Sequence, residues 1–129
     1  MDTRLFLSVD PVPKPRMTRS DVWKKRPACV RYWDFKDKVK AIYPNELPAT
    51  FSVVFNVPMP KSWSNKKKME MHGKPHQQKP DVDNYLKSFM DALCEDDSYV
   101  YDVRVRKQWS VLGNIELIVQ TKYNDREKE

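Results

Sequence analysis

The sequence predicts a single small α+β domain, with two main helices packed on one mixed or antiparallel sheet. Its length of 129 residues allows one domain with a sizeable core. Segments rich in β-branched and aromatic residues alternate with two segments whose apolar residues recur at helical spacing. Because no internal repeat or linker divides the chain, we assign residues 1–123 to the domain and residues 124–129 to a charged, frayed tail.

The first half of the chain predicts a strand, a helix and a second strand. Residues 4–9 and residues 50–57 carry the β-branched and aromatic residues that favour strands. Residues 29–43 predict an amphipathic helix that ends before Pro44. We expect its buried stripe to be Tyr32, Phe35, Val39 and Ile42.

The second half predicts a long loop, a helix and two strands. Residues 58–80 hold four prolines and six lysines, so we expect irregular backbone there. Residues 84–94 predict a helix with Asp83 as its N-cap. Residues 99–111 and 115–121 are interpreted as an antiparallel hairpin. The buried stripe of the helix is predicted to be Leu86, Phe89, Met90 and Leu93.

The net charge of +6 and the pI near 9.3 favour an anionic partner such as nucleic acid or an anionic membrane surface. Since no apolar run could span a bilayer and no signal-peptide pattern opens the chain, we expect a soluble cytoplasmic protein with no membrane partner. Cys29 and Cys94 form neither a disulfide framework nor a CxxC zinc motif.

Acidic residues are concentrated in one segment of this basic chain. Residues 81–97 hold six acids and one lysine, a net charge of −5, so the remaining residues carry +11. At about 100° per residue, Asp83, Lys87 and Asp91 share one helix face, opposite the apolar stripe. Such a cluster could hold Mg²⁺ or Mn²⁺ for phosphodiester cleavage, with Lys87 at the scissile phosphate. The commoner origin of such a pattern is a helix start with a solvated charged face.

Basic residues are candidates for contacts with DNA phosphates, although solvated loops would also explain them. Trp63 could stack on a base, wedge between DNA strands or pack into the core. His72 and His76 have metal-ligand spacing, but Gly73 and Pro75 between them argue against a helical metal pair. The candidate phosphate contacts are Arg16, Arg19, Lys24, Lys25, Lys66, Lys67 and Lys68.

Residues 79–87, 91–93 and 96–100 read KPDVDNYLK, DAL and DDSYV. Together they closely resemble the signature of the RusA family of Holliday-junction resolvases, which are bacterial and phage endonucleases. The resemblance extends to residues 14–21 and 59–64, and it covers most of the chain from Leu5 to about Thr121. It places the protein in the cytoplasm of a bacterial host, where it is host- or prophage-encoded.

The resemblance implies a homodimer that nicks two opposed strands of a four-way DNA junction symmetrically, with Mg²⁺ or Mn²⁺, in recombination and repair. It maps an acidic triad onto Asp81, Asp83 and Asp97 and an essential lysine onto Lys87. Asp91 and Asp96 match further acids of the family and are kept as supporting metal ligands. Helix geometry alone would favour Asp91 over Asp97 as the third ligand.

The sequence departs from the family pattern at one position and allows alternative functions. Some family members carry an aromatic residue where this chain has Lys79-Pro80, so the group that opens the junction is unassigned, with Trp63 as one candidate. The alternatives in function are a nuclease for flaps or other branched DNA, and a non-catalytic module that binds junctions or single strands.

Overall fold

A computed structural model describes residues 2–16 and 26–120 of the chain. They form a mixed four-stranded sheet with three α-helices, which confirms the predicted α+β class. The predicted tail lies outside the described residues. No helix in the described part is long and apolar enough to cross a membrane. The elements are β1 (Asp2–Leu7), α1 (Pro27–Ile42), β2 (Thr50–Pro58), α2 (Asn65–Met71), α3 (Val82–Leu93), a 3₁₀ helix (Asp97–Tyr99), β3 (Asp102–Ser110) and β4 (Asn114–Gln120).

The strand order is β1-β4-β2-β3, with β2 parallel to β3 and antiparallel to β4. The predicted hairpin of the last two strands is therefore wrong, because β2 lies between them. Ser110 pairs with Pro58 and Asn114 pairs with Asn56, so residues 111–113 cross over the end of β2. At Gly113 a Cβ would clash with the side chain of Asp10 and lie 3.1 Å from Pro58 Cδ, so glycine lets this crossing stay close to Asp10 and to the end of β2.

The first strand lies two residues earlier than predicted. Each residue of β1 pairs with β4, from Asp2 opposite Gln120 to Leu7 opposite Ile115. The strand ends at Leu7 because the amide of Val9 turns back and donates to the Leu7 carbonyl at 2.8 Å.

Helix α1 and helix α3 pack against each other and contribute to the core on the sheet. Phe35 and Phe89 are fully buried together with Phe55 of β2. The Phe55 ring stacks on Tyr85 at 5.5 Å between centroids and meets the edge of Phe89 at 6.0 Å. Aromatic pairs at these distances contribute about 0.5–1.5 kcal/mol beyond the burial of their area. This packing fixes α3, the helix that carries the acidic segment.

The buried faces of α1 and α3 differ in part from the predicted stripes. Ile42 is the last residue of α1 and is 47% exposed. Cys29, near the start of the helix, is completely buried. Leu86 and Met90 are only half-buried. The face of α3 that is buried is the one that packs against β2 and α1. It includes small residues that a pattern of large apolar side chains does not predict. The buried residues of α3 are Tyr85, Ser88, Phe89, Ala92 and Leu93.

The segment predicted to be irregular contains a short helix and an edge contact. Ser64 caps α2 by accepting a hydrogen bond from the Lys67 amide at 3.2 Å. After α2, the Gly73 amide donates to the Trp109 carbonyl and the Trp109 amide donates to the Lys74 carbonyl, at 2.8 and 2.9 Å. The segment therefore runs along the outer edge of β3 and leads the chain to the start of α3.

Candidate active site

Asp81 is the N-cap of α3, two residues earlier than the predicted cap Asp83, which lies in the first turn. Its backbone is extended, with φ −66° and ψ 151°, as is typical of an N-cap residue. The Asp81 carbonyl accepts from the amides of Asn84 and Tyr85, but its side chain makes no capping hydrogen bond. The exposed carboxylate of Asp81 therefore remains available to a ligand.

Asp83 and Lys87 lie one turn apart on the exposed face of α3. Lys87 Nζ is 3.7 Å from Asp83 Oδ2, and each side chain is 62% exposed. This confirms that the two residues share a face. An ion pair so exposed contributes little to stability, typically less than about 1 kcal/mol. The pair is therefore free to change partners when a cation or phosphate arrives.

Asp91 joins three segments of the fold. Its Oδ2 accepts a hydrogen bond from the Tyr32 hydroxyl at 2.6 Å and forms an ion pair with Lys14 Nζ at 2.8 Å. Burial alone would raise the pKa of the Asp91 carboxyl, but the bonds from Lys14 and Tyr32 outweigh it and hold that pKa below its ordinary value. The pKa of Tyr32 is raised by burial and by the neighbouring carboxylate. These contacts give Asp91 a role in holding α1 and the N-terminal segment against α3.

Asp96 and Asp97 lie in the turn that follows α3. The Asp96 carboxylate accepts a hydrogen bond from the Ser98 amide at 3.0 Å, which lowers the pKa of Asp96. Asp97 begins the 3₁₀ helix and is exposed. The Tyr99 hydroxyl donates to the Leu47 carbonyl at 2.5 Å, which places this turn beside the chain entering β2.

One chain does not bring the predicted metal ligands together. Asp81 and Asp83 lie at the start of α3, whereas Asp97 lies beyond its other end, and a helix of 12 residues spans about 18 Å. Within residues 2–16 and 26–120, no three His, Cys, Asp or Glu side chains are grouped closely enough to hold one metal ion. The structure thus places Asp83 beside Lys87, with Asp81 two residues earlier at the N-cap, and it places Asp91, Asp96 and Asp97 elsewhere.

The chemistry of the remaining pair nevertheless fits a hard divalent cation. Mg²⁺ commonly takes one or two protein carboxylates, keeps several waters and completes its shell with substrate phosphate. Asp81 and Asp83 supply two exposed carboxylates two residues apart, neither of which is used to cap the helix. A third acid from the same chain is not required for such binding.

The three candidate lysines of the loop lie on α2. Lys66 and Lys67 are exposed and Lys68 is half-buried. Lys67 Nζ lies 4.2 Å from the centroid of the Trp63 ring, which packs on Trp109 at 4.8 Å. Trp63 is thus half-buried against the core, which is one of its predicted alternatives. Among the other candidates, Arg16 is exposed, and Arg19, Lys24 and Lys25 lie outside the described residues.

Sequence reasoning missed Lys107. Its Nζ donates to the carbonyls of Gln78 and Pro80, the latter at 2.7 Å, immediately before Asp81. The signal for it was present in β3, because Lys107 falls on the same side of the alternating strand as Val103 and Val105. A lysine on an apolar face needs hydrogen-bond acceptors from elsewhere in the fold.

His72 and His76 have separate structural environments. His72 Nδ1 accepts a hydrogen bond from the Val111 amide at 3.1 Å. His76 is buried against Trp109, with ring centroids 4.2 Å apart, and its Nδ1 has no hydrogen-bond partner. Burial and, to a smaller extent, the charge of Lys107 lower the pKa of His76, so its ring is neutral at pH 7.

Comparison with known proteins agrees with the resemblance noted in the sequence. The family model described as endodeoxyribonuclease RusA matches residues 9–120, which include each element described above except β1. The chain is also 32% identical over 123 residues to the uncharacterized protein YqaN of Bacillus subtilis (strain 168), covering 84% of this chain and 85% of that protein. The match spans the α3 acids, the turn at Asp97 and the strand that carries Lys107, and on this evidence the chain belongs to the RusA family of endodeoxyribonucleases.

Proposed function

We propose that this protein resolves four-way DNA junctions by paired symmetric nicks with Mg²⁺, or Mn²⁺ in its place, in recombination and repair. Membership of an endodeoxyribonuclease family supports cleavage within a DNA strand. The observation that carries the proposal is the start of α3, where Asp81 makes no side-chain capping bond and Asp83, two residues later, lies beside Lys87 with both side chains exposed. The +11 charge of the remaining chain supplies the attraction for a polyanion.

The residues have distinct roles in this proposal. Asp81 and Asp83 hold the cation, which supplies an acidified water and relief of charge on the phosphate when it is bound. Lys87 leaves its weak pair with Asp83 and donates to an oxygen of the scissile phosphate, where negative charge develops. Lys66, Lys67 and Arg16 contact the DNA backbone away from the cleaved bond.

Two copies of the chain acting about a two-fold axis match the two equivalent scissile strands of a junction. The separation of Asp97 from Asp81 within one chain supports a site shared between copies. In this arrangement the Asp97 turn of one protomer approaches the α3 start of its partner.

Substitution of Asp83 by Asn tests the catalytic assignment. With Mg²⁺ and a synthetic four-way junction, we expect Asp83→Asn to lower nicking by at least about 10²-fold while junction binding is retained. Asp34→Asn is the matched control, since Asp34 forms the same kind of exposed i,i+4 pair with Lys38, at 2.8 Å. Nicking by Asp83→Asn at the wild-type rate would show that this acid is not catalytic.

The same assay separates the alternative functions. Flap substrates cut faster than junctions would favour a nuclease for other branched DNA, and equal cutting of linear duplex would exclude a resolvase. Junction binding by the wild-type protein without nicking, in either metal, would favour a binding module.

Mixed dimers test the shared site. If Asp97 serves the partner's site, a dimer of one Asp83→Asn chain and one Asp97→Asn chain keeps one intact site. It should therefore nick one strand of a junction, although each variant alone is inactive. A mixed dimer as inactive as its parents would place the acids of each site in one chain. Light scattering that finds a monomer able to resolve junctions would refute the dimer.

A further inference from the structure

The turn before α3 is attached to the sheet by one side chain. Lys107 lies in β3 opposite Phe55 of β2, so its backbone belongs to the interior of the parallel ladder. Its half-buried side chain reaches the carbonyls of Gln78 and Pro80 and donates to both. Bonds from an ammonium group are about twice as strong as bonds between neutral groups.

Backbone contacts alone do not hold this turn. The edge segment is joined to β3 through Lys74 and lastly through the His76 amide, which donates to the Lys107 carbonyl at 3.2 Å. Beyond His76, no backbone hydrogen bond among the described residues joins residues 77–80 to β3. The ammonium group of Lys107 continues the connection where the ladder ends.

The position of this turn sets the position of the acids. Pro80 is covalently followed by Asp81, and Asp83 lies in the next turn. A displacement of about 1 Å in a catalytic group can cost on the order of 10²-fold in rate. The Asp81 carbonyl is held by the amides of Asn84 and Tyr85, whereas its side chain makes no capping bond, so the direction of the carboxylate depends also on the chain before it.

We propose that Lys107 is a positioning residue of the nuclease site, which holds the Gln78–Pro80 turn so that Asp81 and Asp83 are set for the cation. This inference rests on the proposed function for its catalytic consequence. It assigns Lys107 no contact with DNA or with the reacting atoms. Its effect is therefore on the affinity for the cation and on the rate, and the affinity for the junction is unaffected.

Hydrogen exchange tests the hold on the turn without any activity. In Lys107→Met we expect the amides of Asn84 and Tyr85, which bond to the Asp81 carbonyl, to exchange at least about tenfold faster than in wild type. Amides of β2 away from the turn should be unchanged. Lys74→Met is the matched control, because the exposed Lys74 joins β3 only through its backbone in the described contacts. Unchanged exchange at residues 77–85 in Lys107→Met would overturn the proposal.

Nicking kinetics test the catalytic consequence. Lys107→Met should raise the Mg²⁺ concentration for half-maximal nicking by at least tenfold and lower kcat, with KM for the junction unchanged. Lys107→Gln keeps a neutral hydrogen-bond donor, so its Mg²⁺ dependence and kcat should lie between those of Lys107→Met and wild type. It replaces Lys107→Met in both experiments if that variant does not fold. Faster exchange with unaltered Mg²⁺ dependence would make Lys107 purely structural and overturn the proposal. A wild-type protein that nicks no junction would refute the proposed function, while exchange would still decide whether Lys107 holds the turn.

Discussion

Replacement of Asp91 by Ala should destabilise the fold without removing a catalytic group. The carboxylate accepts from the Tyr32 hydroxyl at 2.6 Å and pairs with Lys14 at 2.8 Å. Hydrogen bonds to charged groups contribute about 1.5–3 kcal/mol each when shielded from water. The side chains of Asp91 and Lys14 are 31% and 36% exposed, so screening reduces the contribution of Lys14. We expect a loss of about 2 kcal/mol in the free energy of unfolding.

The assay is thermal and urea unfolding at pH 7, where Asp91 is ionised. For a domain of this size a change of 1 kcal/mol shifts Tm by about 3–5 °C, so the expected shift is about 6–10 °C. Asp83→Ala is the comparison on the same helix. Its exposed pair with Lys87 at 3.7 Å predicts a loss below about 0.5 kcal/mol, with loss of nicking under the proposed function.

The sign of the pH dependence is fixed by the pKa of Asp91. The folded state lowers this pKa below its ordinary 3.8. The contribution of the Asp91 carboxylate to the free energy of unfolding is therefore fully present above pH 3.8 and is lost as the pH falls through the folded pKa. The difference between wild type and Asp91→Ala should therefore shrink in acid. An Asp91→Ala protein as stable as wild type at pH 7 would refute this reasoning. Full stability with loss of nicking would make Asp91 a functional ligand instead.

Two further predictions concern a buried histidine and an exposed lysine. Burial and Lys107 lower the pKa of His76 below its ordinary 6.5, so stability is complete above pH 6.5 and falls as the pH drops. In His76→Phe the free energy of unfolding, measured with urea, should depend less on pH between pH 5 and 6.5 than in wild type. The same pH dependence in both proteins would contradict the lowered pKa of His76. Lys66 is exposed on α2, and if it contacts phosphate, Lys66→Gln should reduce the slope of log K against log salt for junction binding by about 1 per contact. An unchanged slope would remove Lys66 from the DNA interface.

The sequence predicts those elements whose own residues determine them. The strand at 50–57 and the helix at 84–94 follow from β-branched content and from helical spacing, and both are present within one or two residues. The pairing of the last two strands could not be predicted, because a period of two defines the faces of a strand and not its neighbours. The seven-residue helix α2 is too short for a periodic signal, which is why its residues are predicted as irregular backbone.

In the candidate site, too, local contacts could be predicted from the sequence and long-range contacts could not. Helical spacing places Asp83 beside Lys87, as observed, because that contact is local. Over the eight residues from Asp83 to Asp91 the face drifts by about 80°, which brings Asp91 to the side of α1. Its partner Tyr32 is 59 residues away in the chain, and Lys107 is 27 residues from Pro80. Such contacts depend on the finished fold, so a local pattern cannot predict them.

These contacts separate the residues that hold α3 from those that would act. Tyr85 and Phe89 fix the helix through Phe55, and Asp91 fixes its far end to α1. Asp83 and Lys87 are exposed, so substitutions there cost little stability. Asp81 makes no side-chain cap and Asp83 forms only a weak exposed pair, so neither carboxylate contributes much to folding through its contacts. A cation that binds Asp81 and Asp83 only in the folded state stabilises that state, so Mg²⁺ should stabilise the wild-type protein more than Asp83→Asn, a difference that thermal unfolding with and without EDTA measures.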